Sequence, residues 1–481
     1  MNSYGMNQKR SLFVIGGIIA LLGFLIVVLI VTKTPEEVLS TSSEIPETVD
    51  LTNHKIGELE SLTVENGEGS YTIRPTEPGV ESYYVEELQD LPCNHDAVKY
   101  AVQGIMDPVI SQEVGEVDDL EEFGLAEPSA TITMRFNDGS SVVCLIGDSA
   151  PSDEETRDLS LEGSSYVYIV GSDHHLLRSA AAYADLTVVE APQEEAEDGT
   201  AQYTFGDISL WGTSFPQKIV LQTQEDGSFQ MTEPIHSSCD ESMVSYITTA
   251  LKGLTAENAI AVFPDETALK KYGLISPQAA VQYTVNGEPV TLYASPKDDD
   301  TVYLMRDGRS IVYEVSLEDV DMWFTTSRYL LREKSVVSLT AEDTQSITIV
   351  SGEQSLSLTL SREKDEEKST ESTDYYQYTV TNAQGEDMGD ARYSRLLEDL
   401  SALSLSGDTE EIPQREPALS FAYQGFTDTS QHTLSFIQRD NSQWFLMMDG
   451  QVVGLVDDAD IQNIQRETDK LIEAAQPLEI Q

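Results

Sequence analysis

The feature that most constrains this chain is an internal repeat at an offset of 149 residues, which lays residues 102–137 over residues 251–286 without a gap. Identical pairs are Gly104/Gly253, Leu120/Leu269, Gly124/Gly273, Leu125/Leu274, Pro128/Pro277, Ala130/Ala279 and Asn137/Asn286, and Phe123 meets Tyr272. The matched positions are turn formers and apolar residues, while the polar residues between them differ freely. Such a repeat fixes a supersecondary unit used more than once and leaves its surface chemistry open.

The pattern around the repeat predicts three units. Each opens with two alternating strands around a tight turn: residues 62–73 across Asn66-Gly67, 219–231 across Asp226-Gly227 and 347–360 across Ser351-Gly352. Asn-Gly and Asp-Gly accept the positive φ angles that hairpins need. One amphipathic helix follows in each, with apolar residues at Ala97, Val98, Ala101, Val102 and Ile105, at Met243, Val244, Ile247, Leu251 and Leu254, and at Tyr393, Leu396, Leu397, Leu400 and Leu403. The first two units then carry a short helix ending in Phe123-Gly124-Leu125-Ala126-Glu127-Pro128 or Tyr272-Gly273-Leu274-Ile275-Ser276-Pro277. Glycine past a helix end takes the left-handed conformation, the leucine folds back on the last turn, and proline keeps the helix from resuming.

Strands are expected beyond that stop at 130–136, 142–146 and 166–170, and again at 279–285, 290–293, 302–305 and 311–315. The third unit keeps a hairpin, a helix and strands at 419–423, 433–437, 444–448 and 452–455, loses the Gly-Leu-x-x-Pro stop, and ends in a helix through Ile461, Ile464, Leu471, Ile472 and Ala475. The expected fold class is α+β: tandem repeated units with antiparallel sheets and amphipathic helices, preceded by one transmembrane helix.

That helix is the run from Leu12 to Val31, twenty residues without a charge, long enough to cross a hydrocarbon core. Its length favours a retained anchor over a cleaved signal ending near Val38-Leu39-Ser40. Lys9 and Arg10 before it, and Glu36 and Glu37 soon after it, predict a cytosolic N-terminus and an extracytoplasmic ectodomain at the cell membrane. The expected organisation is therefore cytosolic N-terminus 1–10, transmembrane helix 11–32, flexible stalk 33–58, unit one 59–190, acidic linker 191–217, unit two 218–337 and diverged unit three 338–481.

The chain has 84 acidic and 28 basic residues, a formal net charge of −56. Such a field repels nucleic acid and anionic lipid and keeps the protein solvated, so no nucleic-acid partner is expected. Cys93, Cys144 and Cys239 are too few for a disulfide scaffold. Cys144, inside an apolar run, reads as a small buried hydrophobe. A Cys93–Cys239 bridge is left open.

No residue set announces chemistry. His54, His95, His174, His175, His236 and His432 are scattered, and none stands at a metal-ligand spacing; His174-His175 reads as a surface turn. Ser361-Arg362-Glu363-Lys364 matches Ser-x-x-Lys formally but lacks the companion motifs of penicillin-recognising enzymes. Asp298-Asp299-Asp300 and Asp457-Asp458-Asp460 do not follow a calcium-loop pattern, and read as a solvated loop and a helix N-terminus. Trp323 and Trp444 read as core; Trp211, between units one and two, reads as an anchor at a seam. The expectation is no catalytic residue, no metal and no cofactor.

A single span, a Ser/Thr/Glu stalk and units carrying Tyr/Phe-Gly-Leu-x-x-Pro before alternating strands resemble the bacterial domain-of-unknown-function 4340 family, over residues 62 to about 334. The resemblance implies no reaction and carries over no site residue. It implies an accessory component beside an ABC-type export system. The functional expectation is a membrane-anchored, extracytoplasmic, non-catalytic binding or assembly subunit with membrane-protein partners and an unspecified ligand. Its rivals are a cell-surface enzyme using paired carboxylates on an envelope polymer, and a surface adhesin.

Overall fold

The computed structural model of the chain describes residues 50–150, 153–171, 174–191, 204–335, 337–340, 343–370 and 375–475. The predicted N-terminus, membrane span and most of the stalk lie outside these residues, as do residues 192–203 of the predicted acidic linker. No helix among the described residues is long and apolar enough to cross a membrane. The fold is sheet-rich, antiparallel α+β.

Among the described residues, 50–86 and 95–178 form one compact unit, and 87–94 with 179–475 form another. The first unit holds one eight-stranded sheet made of β1 (Leu59–Asn66), β2 (Gly69–Pro75), β3 (Tyr83–Val85), β4 (Ile110–Glu116), β5 (Ala130–Phe136), β6 (Ser141–Ala150), β7 (Asp153–Leu161) and β8 (Tyr166–Gly171), with helix α1 (His95–Met106) between β3 and β4. Its order is β3-β2-β1-β5-β6-β7-β8-β4. Two meanders thus run outward from the central β1–β5 pair, and β4, the strand after the helix, returns to the far edge. Val98, Ala101, Val102, Ile105 and Met106 form the buried stripe of α1, each large apolar side chain contributing about 1.5–3 kcal/mol on burial.

The first strand of the second unit is β9 (Thr187–Val189), and the unit holds a nine-stranded sheet. Its strands are β10 (Ile208–Trp211), β11 (Ile219–Thr223), β12 (Phe229–Glu233), β13 (Ser237–Ser238), β15 (Asn258–Val262), β16 (Ala279–Val285), β17 (Glu288–Pro296), β18 (Thr301–Arg306) and β19 (Ile311–Ser316), while β14 (Leu254–Thr255) pairs with β9. The order is β13-β12-β11-β10-β16-β17-β18-β19-β15. Apart from the extra edge strand β13, this is the order of the first sheet, with β10 in the place of β1. Helices α2 (Glu241–Ala250) and α3 (Glu266–Lys271) flank β15 in sequence, and α4 (Leu317–Phe324) and α5 (Arg328–Leu331) follow β19.

That correspondence corrects one expectation. The hairpin at 219–231 exists, but it is the second and third strands of its sheet. The first is β10, which pairs with β11 on one side and β16 on the other and lies within the stretch read as a linker. Four residues followed by Gly212 and a loop to β11, in place of a tight Asn-Gly turn, leave no hairpin signature in the sequence.

The third sheet comprises β20 (Thr344–Ser351), β21 (Gln354–Lys364), β22 (Tyr376–Asn382), β23 (Leu419–Gly425), β24 (Gln431–Gln438), β25 (Gln443–Met448) and β26 (Gln451–Asp457) in the order β22-β21-β20-β23-β24-β25-β26. The two meanders and their central pair recur. The far-edge position is reduced to one bridge, Gly407 with Leu455. Helices α6 (Asp390–Ser401) and α7 (Asp458–Ala475) bury Tyr393, Leu396, Leu397, Leu400, Ile461, Ile464 and Leu471 in this sheet's core.

Both stops form as expected. Gly124 has φ +65° and Gly273 φ +72°. The Gly273 amide donates to the Lys270 carbonyl at 3.1 Å and the Leu274 amide to the Leu269 carbonyl at 2.9 Å, the paired bonds of a Schellman cap; the same pairing joins Gly124 to Glu121 and Leu125 to Leu120. Leu125 and Leu274 are buried. The strand facing each stop is also matched: Ser295 Oγ donates to the Gly273 carbonyl at 3.0 Å, while at the corresponding Gly147 any Cβ would sit 2.0 Å from the Phe123 carbonyl oxygen. Side-chain N-caps open α2 and α3, Asp240 accepting from the Met243 amide and Asp265 from the Ala268 amide.

Candidate functional site: the junction of the second and third sheets

The segment that leaves the second sheet through α5 and enters the third lies in one compact unit with both. Ser327 caps α5, accepting from the Leu330 amide. One turn of helix then places Arg328 and Arg332 four residues apart, with Arg332 just past the helix end.

Arg328 is engaged through two of its three nitrogens. Its guanidinium grips the Asp408 carboxylate through Nε and Nη2 and also reaches the Thr409 carbonyl. This pair walls a cleft of about 280 Å³ whose other sides include Phe215, Pro216, Ile219 and Pro234. Thr326 also lines the cleft, and its buried hydroxyl has no hydrogen-bond partner.

Arg332 is different. It is 3 % exposed, and Nη1 donates to the Val453 carbonyl at 2.6 Å. Its Nε is buried without a partner. Burial pulls the guanidinium's pKa down, partly opposed by Asp408. Arg332 lines a second groove, of about 610 Å³, together with Pro234, His236, Ser237, Glu333 and Asp449. Ser237 Oγ is buried and also unpartnered. A third depression, of about 780 Å³, lies beside β12, β13 and α2 and is lined by Asp226, Gln230, Glu241 and Thr248 among others.

Of the residues singled out in the sequence, His236 lines the groove with Arg332 and Cys239 lines the third depression; Cys144, the three tryptophans and Ser361 fall elsewhere. Cys144 is wholly buried, its thiol pushed up to about 12, and buried Cys239 is raised to about 11. None of the three cysteines forms a disulfide. Trp323 is in the core, and Trp444 donates from its ring nitrogen to Asp458 at 2.7 Å, which places that aspartate at the N-terminus of α7. Trp211 ends β10 with the Lys218 ammonium 6.0 Å from its ring centre. Ser361 lies within β21, away from the helix start that Ser-x-x-Lys chemistry requires. His174 and His175 open a short 3-10 turn. Among the described residues, no group of three or more His, Cys, Asp or Glu side chains is arranged to hold a metal ion.

Two juxtapositions are invisible in the sequence. His432 lies between Asp449, 2.9 Å from Nδ1, and Asp428, 3.2 Å from Nε2; both carboxylates raise its pKa, Asp449 more strongly. In the first unit Asp158 is 4 % exposed, and burial, with Asp148 adding like charge, raises its pKa. Paired carboxylates need a cleft between them to act on a polymer. A cavity of about 20 Å³ in that unit is lined by Gly104, Arg157, Leu159 and Leu176 among others, and by neither aspartate.

The fold defines a class, an antiparallel α+β protein whose sheets share one strand order. Within it, residues 230–417 match the family model described as Domain of unknown function (DUF4340). The match runs from β12 through α6, so it extends into the third sheet and leaves out the first unit, whereas the resemblance in sequence runs over 62–334. No curated protein matches the chain, and no solved structure does.

Proposed function

We propose that this protein is a membrane-anchored, extracytoplasmic, non-catalytic binding or assembly subunit that works beside an ABC-type membrane complex. The observation that carries the reading is the recurrence of one strand order in three consecutive sheets, which we take as a duplicated scaffold. What recurs is packing and helix termination, while the polar groups of each sheet differ, as suits surfaces with separate contacts. The uncharged run from Leu12 to Val31 supports the anchor and its flanking charges support the orientation. The net charge of −56 suits a solvated ectodomain with protein partners and argues against nucleic acid.

The test is in two parts. Protease added to spheroplasts should degrade the ectodomain while the N-terminal segment stays with the membrane, and gently solubilised membranes should yield the protein together with transporter subunits. Protection of the ectodomain, release of a soluble form starting near Thr41, or turnover of peptidoglycan by the purified protein would each replace this reading, the last in favour of the surface enzyme.

A further inference from the structure

In a chain with 84 acidic residues, Arg332 is a buried cation with no carboxylate bonded to it. Nη1 is committed to the Val453 carbonyl, and neither Nε nor Nη2 has a hydrogen-bond partner among the described residues. The nearby Asp408 is already held by Nε and Nη2 of Arg328. Nε–H and the neighbouring Nη2–H form one edge of the planar guanidinium, two parallel donors spaced to match the two oxygens of a carboxylate. Ser237 supplies a further buried, unpartnered hydroxyl on the same groove.

Buried donors in proteins nearly always have acceptors, and an uncompensated buried charge is especially costly. The open edge of a buried guanidinium therefore points to an acceptor that the groove is built to receive. At about 610 Å³ the groove is within the size range of small-molecule sites. Its remaining charges set the valence. Glu333 accepts from the Lys334 and Ser335 amides, and Asp449 accepts from His432 and the Thr433 amide. Both carboxylates stand beside the groove, so a second negative charge on the ligand meets repulsion.

We propose that this groove binds a monoanionic carboxylate, gripped side-on by Nε and Nη2 of Arg332 and by the Ser237 hydroxyl. The proposal is independent of the membrane-assembly reading, which is tested by co-purification and protease access.

Calorimetric titration of the full chain in detergent, at constant ionic strength, with N-acetylglycine, inorganic phosphate and chloride tests it. N-acetylglycine should bind saturably, phosphate more weakly and chloride not at all. Arg332→Lys, which keeps the charge and loses the fork, should weaken N-acetylglycine binding about tenfold. Ser237→Ala should weaken it several-fold with no change in melting temperature, because that hydroxyl has no partner in the fold. Absence of saturable binding, phosphate binding as tightly as the carboxylate, or unchanged affinity in Ser237→Ala would overturn the proposal. Ser237→Ala decides the matter if Arg332→Lys does not fold.

Discussion

Replacing Gly273 with valine should destabilise the second unit by about 2–3 kcal/mol, and the structure separates that figure into two parts. Gly273 has φ +72°, a conformation that costs a side chain with a Cβ about 1–2 kcal/mol, with a β-branched residue at the upper end. A Cβ there would also lie 3.1 Å from both Cβ and Oγ of Ser295, whose hydroxyl donates to the Gly273 carbonyl. Pushing that side chain away removes a hydrogen bond worth about 1 kcal/mol. Gly308 isolates the first part, since it has φ +76° and a Cβ placed on it would meet nothing within 4 Å. Equilibrium urea unfolding followed by circular dichroism should therefore rank Gly273→Val below Gly308→Val by about 1 kcal/mol. The reasoning fails if Gly273→Val lies within about 0.5 kcal/mol of the parent, the usual range for a surface change, or if the two variants are equally stable.

Three further outcomes rest on named contacts. Asp408→Ala leaves Arg328 and Arg332 without their shared negative charge and should cost about 3 kcal/mol in the same assay, whereas a loss under about 1 kcal/mol would show the pair to be no more than a surface contact. Because His432 is raised above its ordinary value of 6.5, its pairing contributes stability that is fully present below that value and is lost as pH rises through the raised pKa; the melting-temperature gap between the parent and His432→Gln should shrink over that window, and Asp449→Asn should lower the histidine's pKa measured by NMR. Iodoacetamide under mildly alkaline conditions should label half-buried Cys93 first and leave Cys144 unmodified until the protein unfolds, since burial holds that thiol at about 12; rapid native labelling of Cys144 would contradict its place in the core.

The sequence by itself determined what depends on local rules. The offset of 149 residues carries β5 (Ala130–Phe136) onto β16 (Ala279–Val285) residue for residue, because alternating burial and a glycine stop fix both ends of that strand. It also carries Gly124 onto Gly273, both at positive φ, and helical spacing of apolar residues marks the buried stripes of α1, α2 and α6. Where a strand lacks its own punctuation, the sequence is silent. The short β10 has no tight turn beside it, and β4 and β15 are far-edge strands defined by their partners β8 and β19, so only sheet pairing decides that they are strands. The junction groove is the extreme case. Arg332, Ser237 and Val453 are far apart along the chain, and nothing in their neighbours sets Arg332 apart from any other arginine. Its burial, and the donors it leaves open, are properties of how the second and third sheets pack, which tertiary structure alone decides.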